Sequence, residues 1–263
     1  MCNYTDAEES PVSLRGKGVL VVGVRLGAVR GVVEALEGEG AHVLVASAEA
    51  CELTQVPAGG AGGASPHVVR GLVRGLTVDL GRRAEIVRVF RWVDGMLPRL
   101  DALVSVVEVG AGPGGEAADA AGCDVEGWRR AVDEQWLVPL GVALEASSRM
   151  RLRRRGLVLQ IGVPAGGVGP EVVGRCGAGG GGGSSAFLGG ESWRMLCAML
   201  EARRGFFSEG GVRLTLLEAG LGDAPRVRCR GGAGEAVRAA VDFCLHAPGR
   251  LSVEFLRVRG GCG

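Results

Sequence analysis

Proton transfer and nucleophilic attack need a phenol, ammonium, imidazole, thiol or activated hydroxyl in the body of a fold. This 263-residue chain offers few of them. Its one tyrosine is Tyr4, its one lysine Lys17 and its one asparagine Asn3, all before the first convincing strand. A tyrosine–lysine acid pair therefore cannot be assembled deep in the chain. Ser184 and Ser185 carry hydroxyls but lack an evident His–Asp partner set, so they read as a polar loop rather than a nucleophile. Cys176 stands beside Arg175, a cation that favours a thiolate; the plainer reading is a free loop thiol. The eight cysteines (2, 51, 123, 176, 197, 229, 244 and 262) form no Cys-x-x-Cys, and only His42, His67 and His246 could join them as ligands. A zinc site has little support and no metal is expected. The run Arg149-Met-Arg-Leu-Arg-Arg-Arg155 has the charge to bind an anion or RNA. Arginines at a helix C-terminus also satisfy the last carbonyls and the dipole, and that reading is preferred.

Composition narrows the classes further. Formal net charge is +1, so nothing global points to nucleic acid or to a membrane surface. Arginine supplies nearly all the basic residues, glycine reaches 48, and isoleucine occurs only at 86 and 161. A GC-biased coding sequence accounts for that pattern without a structural cause. Scattered thiols in an α/β chain suit a reducing compartment, so a cytoplasmic location is expected. The start carries Asp6, Glu8 and Glu9 and does not look like a secretory signal. No apolar run reaches membrane-spanning length.

The elements that would position any site alternate along the chain. Gly18–Gly23 is a short apolar, β-branched run, as expected of a buried parallel strand. Residues 28–39 follow as an amphipathic helix with Val29, Val32, Val33, Ala35 and Leu36 on one face, closed by Gly38 and Gly40. Further strands are predicted over 41–46, 76–79, 101–107, 156–161, 211–217 and 251–258. Helices are predicted over 84–97, with Ile86, Val87, Val89, Phe90 and Val93 inward, and over 125–154, 191–203 and 235–246. The long candidate at 125–154 carries Pro139 and Gly141 as possible interruptions. Residues 57–66, 110–122 and 164–185 read as Gly-rich loops. Alternating strands and helices imply a doubly wound parallel sheet in an α/β/α sandwich, with ligands at the carboxyl ends of its strands. The expected organisation is a tail over 1–15 and one domain over 16–263.

The order of elements and several local motifs resemble the classical short-chain dehydrogenase/reductases, from about Gly16 to Val258. Asp79-Leu80 before EIVRVFRWV, LDALV at the fourth strand and the ending GEAVRAAVDFCLHAPGRLSVEFLRV are similar to the branch of farnesol dehydrogenases and carbonyl/steroid reductases. The resemblance implies a Rossmann-like sheet of about seven strands, in the order 3-2-1-4-5-6-7, and NADP or NAD as cofactor. The family's Thr-Gly-x-x-x-Gly-x-Gly falls on Val22 to Val29. Gly23 and Gly27 keep the tight turn and the backbone approach to a pyrophosphate, whereas Val29 replaces the third glycine. Arg25 stands either as a phosphate contact or as a solvated loop arginine, and Asp79 either as the adenine neighbour or as a strand-end turn residue. Ser47-Ala48, at the end of the second strand, supplies neither the acid of NAD-preferring relatives nor the arginine that holds an NADP phosphate.

The catalytic positions depart further. Asn-Asn-Ala-Gly after the fourth strand becomes Ser105-Val106-Val107-Glu108, which puts bulk and negative charge beside the nicotinamide ribose. The family's helix asparagine falls on Gln135, its serine on Val163, and its Tyr-x-x-x-Lys pair on Ser184 and Leu188. Gly220 survives from the Pro-Gly after the sixth strand, and Ala224 stands for a later threonine. A serine hydroxyl is far too weak an acid to replace the tyrosine. Loss of a general acid alone costs on the order of a hundred- to ten-thousand-fold. The expectation is a catalytically impaired relative whose NADP or NAD binding, through Gly23, Arg25, Gly27 and Asp79, is weak or lost. The opposing expectation is an NADP-dependent oxidoreductase with a rearranged acid. In the family, the helices matching 125–150 and 186–203 pair across a two-fold axis. Trp128, Trp136, Leu140, Leu144, Phe187, Trp193, Leu196 and Leu200 therefore point to a homodimer.

Overall fold

The computed structural model describes residues 14–23, 26–48, 50, 73–109, 125–164, 183–219 and 255–258. They form one parallel sheet of seven strands. The strands are β1 (Gly18–Gly23), β2 (His42–Ser47), β3 (Val73–Thr77), β4 (Ala102–Val109), β5 (Gly156–Pro164), β6 (Val212–Ala219) and β7 (Phe255–Val258). Their order, β3-β2-β1-β4-β5-β6-β7, is the expected one. Connections leave β1 toward β2 on one side and reach β4 on the other, so the crevice of a doubly wound sheet lies between β1 and β4.

The β-branched runs are buried on both faces because helices cover both. On one face α1 (Leu26–Gly38) lays Val29, Val32, Val33 and Leu36 against Val19, Val21, Val43, Val45, Val104 and Ile161. On the other face lie α2 (Arg83–Met96), α4 (Val138–Arg151), α5 (Gly183–Glu201) and α6 (Arg204–Glu209). Phe90, Val142, Met150, Trp193, Leu196, Leu200 and Phe207 from these helices meet Leu20, Val22, Leu44, Leu103, Val158 and Leu216. Gly40, at φ +77°, ends α1: Ala41 N–H donates to Leu36 O and Gly40 N–H to Glu37 O, the paired bonds of a Schellman turn.

Several boundaries differ from expectation. Strand β3 runs over Val73–Thr77, paired from Val43↔Val73 to Ser47↔Thr77, so Asp79 lies beyond it. Helix α1 begins at Leu26. The expected loop over 164–185 is shorter at both ends, because β5 continues its ladder with β4 to Pro164 and α5 already begins at Gly183. Val87 is exposed, whereas Val89, Phe90 and Val93 are buried. The long helix is split into α3 (Val125–Val132) and α4 by one π-helical turn, Asp133–Leu137. Val138 N–H donates five residues back to Asp133 O, and Pro139, which has no N–H, follows directly. The interruption thus falls ahead of the proline. The loops over 57–66 and 110–122 and the helix over 235–246 lie outside the described residues.

Candidate functional site

The carboxyl edge of the sheet is where the fold places a ligand, and β1 delivers Gly23 there. Gly23 pairs with Val106 of β4 across the crevice. A Cβ on Gly23 would collide with Val29 Cγ2 and stand 3.4 Å from Val106 Cβ. The room left by the missing side chain is therefore filled by Val29, which is fully buried. Gly27 sits in the first turn of α1, which carries no acidic residue. Its amide is among those at a helix start with no intrahelical partner. Arg25 lies outside the described residues.

Asp79 is exposed and locally engaged. Its Oδ1 accepts from Gly81 N–H at 3.2 Å and its Oδ2 lies 3.3 Å from Arg82 Nε. That is an Asx turn leading into α2, the turn reading of this residue. Ser47, at the end of β2, is buried.

The acid end is rearranged in a way that residue counting does not show. Alternation along β5 sends Leu157, Leu159, Ile161 and Val163 into the α1-side core. Val163, the position matched to the family's serine, thus points away from α5, the helix carrying positions 184 and 188. The residue facing α5 at the end of β5 is Gly162, and the Trp193 indole covers it. A Cβ on Gly162 would stand 2.7 Å from Trp193 Cδ2 and 2.8 Å from Cε3. Trp193 is 2 % exposed, and its Nε1 has no partner among the described residues. Two residues earlier, on the same face, the buried Gln160 donates Nε2–H to Pro139 O at 3.3 Å, and its Oε1 has no partner among the described residues. Gln135 lies inside the π turn. Ser184 and Leu188 belong to the first two turns of α5, and the placement of their side chains is outside the description.

Sequence reading did not single out Gly162 or Gln160, and it assigned Trp193 to a subunit interface rather than to the end of β5. The period-two pattern of β5 would have found Gly162 and Gln160, since Val158, Gln160 and Gly162 share a face. Lys17 is at the wrong end of the sheet. It precedes β1, its N–H donating to Leu14 O and its carbonyl accepting from His42 N–H. Six residues of strand separate it from the ligand edge, about 20 Å at roughly 3.3 Å each.

The arginine run 149–155 also lies at the amino edge. Arg149 forks onto Asp94 (2.8 and 2.9 Å), bonds Glu145 (2.6 Å) and lies 4.6 Å from the Phe90 ring centroid. Asp94 and then Glu145 hold its guanidinium above the ordinary arginine range, against the opposing effect of burial. Arg151 stacks 4.1 Å over Phe206 and Arg153 donates to Leu100 O at 3.0 Å. No group of three His, Cys, Asp or Glu residues suited to a metal occurs among the described residues. No described helix is long and apolar enough to cross a membrane.

No family model matches the chain, and no curated protein matches its sequence. Solved structures do match. A metagenomic short-chain oxidoreductase in complex with NADP is 19% identical over 95% of this chain and 100% of its own, with a TM-score of 0.67. A hydroxysteroid dehydrogenase from Escherichia coli is 18% identical, covering 95% and 98%, at 0.68. An NADH-dependent reductase, A1-R', complexed with NAD is 19% identical, covering 94% and 96%, at 0.66. The chain therefore has the short-chain dehydrogenase/reductase fold. The helix start remains, but Val29 fills the space at Gly23, and Glu108 occupies the ladder position paired with Val163.

Proposed function

We propose that this chain is a short-chain dehydrogenase/reductase-like protein without the proton-donating set, which binds a nucleotide weakly or serves as an interaction module. The observation behind this reading is the end of β5. Val163 faces the α1-side core, and the position facing α5 is a glycine under the Trp193 ring. No hydroxyl is offered to a substrate carbonyl from that strand end. The sole lysine, at the amino edge, cannot assist from there.

Residual nucleotide binding uses Gly23, Arg25, Gly27 and the Asp79 turn, with the pyrophosphate at the start of α1. NADP and NAD are both candidates, and no metal takes part. The motifs at 79–93, 100–104 and 234–258 support a likeness to the farnesol dehydrogenase and carbonyl/steroid reductase branch. One domain over 16–263, behind a tail over 1–15, carries the function in the cytoplasm.

The second reading is an NADP-dependent oxidoreductase using a rearranged acid on a carbonyl or alcohol. It draws on the NADP and NAD complexes among the similar structures. Steady-state assays with NADPH and NADH across aldehydes, ketones and steroids separate the two. Turnover that a pocket substitution abolishes defeats the impaired reading.

We propose a homodimer through α3, α4 and α5. Trp193, Leu196 and Leu200 are consumed by the chain's own core. Trp136, Leu140 and Leu144 are only half-buried, and Leu137 and Met195 are half exposed. Among the described residues these five side chains, with the exposed Val125 of α3, are the apolar surface left for a partner subunit; the side chains of Trp128 and Phe187 lie outside the description.

A further inference from the structure

We infer that Val29 sets the weakness of nucleotide binding: it is a wedge between α1 and the end of β1, and shortening it tightens the hold on a pyrophosphate. This rests on the weak-binding reading above and assigns its cause to one side chain. Gly23 ends β1 with bare backbone toward α1, and Val29 Cγ2 fills the place where its Cβ would be. Val29 is 0 % exposed and lies in the first turn and a half of α1. Two glycines in contact let a helix start and a strand end meet backbone to backbone. Here an isopropyl group stands between them, beside Val106 of the neighbouring strand.

The first amides of α1, beginning at Leu26, have no partner within the helix. Val29 Cγ2, in the place of a Gly23 Cβ, keeps the backbone of α1 from closing onto the end of β1. A pyrophosphate must be reached from the β1–β4 crevice and from those amides together, because both phosphates need donors at hydrogen-bond distance. Holding the two sources apart by a side chain costs the shared grip. The charge at the helix start is not at fault, since no acidic residue occupies the first turn of α1.

Isothermal titration of the full chain with NADP, NAD and inorganic pyrophosphate tests this on wild type, Val29→Ala and Val29→Gly, with circular dichroism melts to confirm folding. The expected result is stepwise tightening for all three probes. Val29→Gly should gain on the order of tenfold, the worth of one charge-assisted hydrogen bond regained. Val29→Ala keeps a good helix former and decides the matter if the glycine variant does not fold. Affinity unchanged or weakened in a folded Val29→Ala, or no binding by any variant, overturns the inference. Tight binding by wild type overturns the weak-binding reading instead, a separate outcome.

Discussion

Gly162 and Val163 are adjacent, yet they face opposite cores, and that decides what either can do. A serine at 162 has no room, because its Cβ would press on the Trp193 ring at 2.7 Å. Gly162→Ser should destabilise the fold by about 1–3 kcal/mol, the usual cost of overpacking. A serine at 163 fits by volume but buries a hydroxyl among Ile161, Val104 and Val106. Val163→Ser should cost about 1–3 kcal/mol as an unpaired buried donor. Neither variant should acquire reductase activity. Urea denaturation measures the first quantity and an NADPH assay the second. A well-folded Val163→Ser with carbonyl reduction would show that its side chain reaches the α5 face. The exchange at 163 was legible as a missing hydroxyl. Its direction follows only when the period-two pattern of β5 is carried past Ile161, which needs β5 to keep its ladder to Pro164. The indole over Gly162 was not legible, since the contact joins two elements and leaves no periodic trace.

Helices α2 and α4 share an apolar core, and Arg149 ties them at its surface. Arg149 of α4 forks onto Asp94 of α2, holds Glu145 of its own helix and stacks on Phe90. Exposed ion pairs contribute little singly, but a bidentate geometry with an aromatic face is the favourable case. Arg149→Met should lower stability by about 1 kcal/mol. Arg149→Lys should recover only part, because an ammonium cannot fork onto Asp94. Denaturant midpoints of the three proteins check the order, and a lysine variant equal to wild type would contradict the forked pair. The folded arginine binds its proton more tightly than the unfolded one. Its contribution is therefore complete below the unfolded pKa and lost only as pH rises through the still higher folded value. Across neutral pH the staple should be pH-independent. The helix face carrying Phe90 and Val93 follows from 3.6-residue spacing, as does the buried stripe of α1. The π turn does not follow from spacing. Pro139 forbids one backbone bond, but which upstream residues absorb the change depends on packing against α5, where Trp136 Nε1–H donates to Ser192 O at 3.1 Å.

The alternation of strands and helices was accessible because the runs at β1, β2, β4 and β5 are largely apolar, as strands covered on both faces require, whereas their order followed only from the resemblance to short-chain dehydrogenase/reductases. Assembly depends on surface instead. Leu137 and Met195 are half exposed on α4's flank and α5, so Leu137→Asp with Met195→Asp should convert the proposed dimer to a monomer by light scattering. A wild-type monomer at tens of micromolar would contradict the dimer outright. Under the impaired reading proposed above, the short-chain dehydrogenase/reductase architecture persists without its chemistry. The most direct measurement is titration of the wild-type chain with NADP and NAD, followed by a hydride-transfer assay on the same sample. The expected result is weak or absent heat with both cofactors and no oxidation of NADPH or NADH above background with aldehydes, ketones or steroids. Tight binding together with turnover would contradict the account and identify a working oxidoreductase.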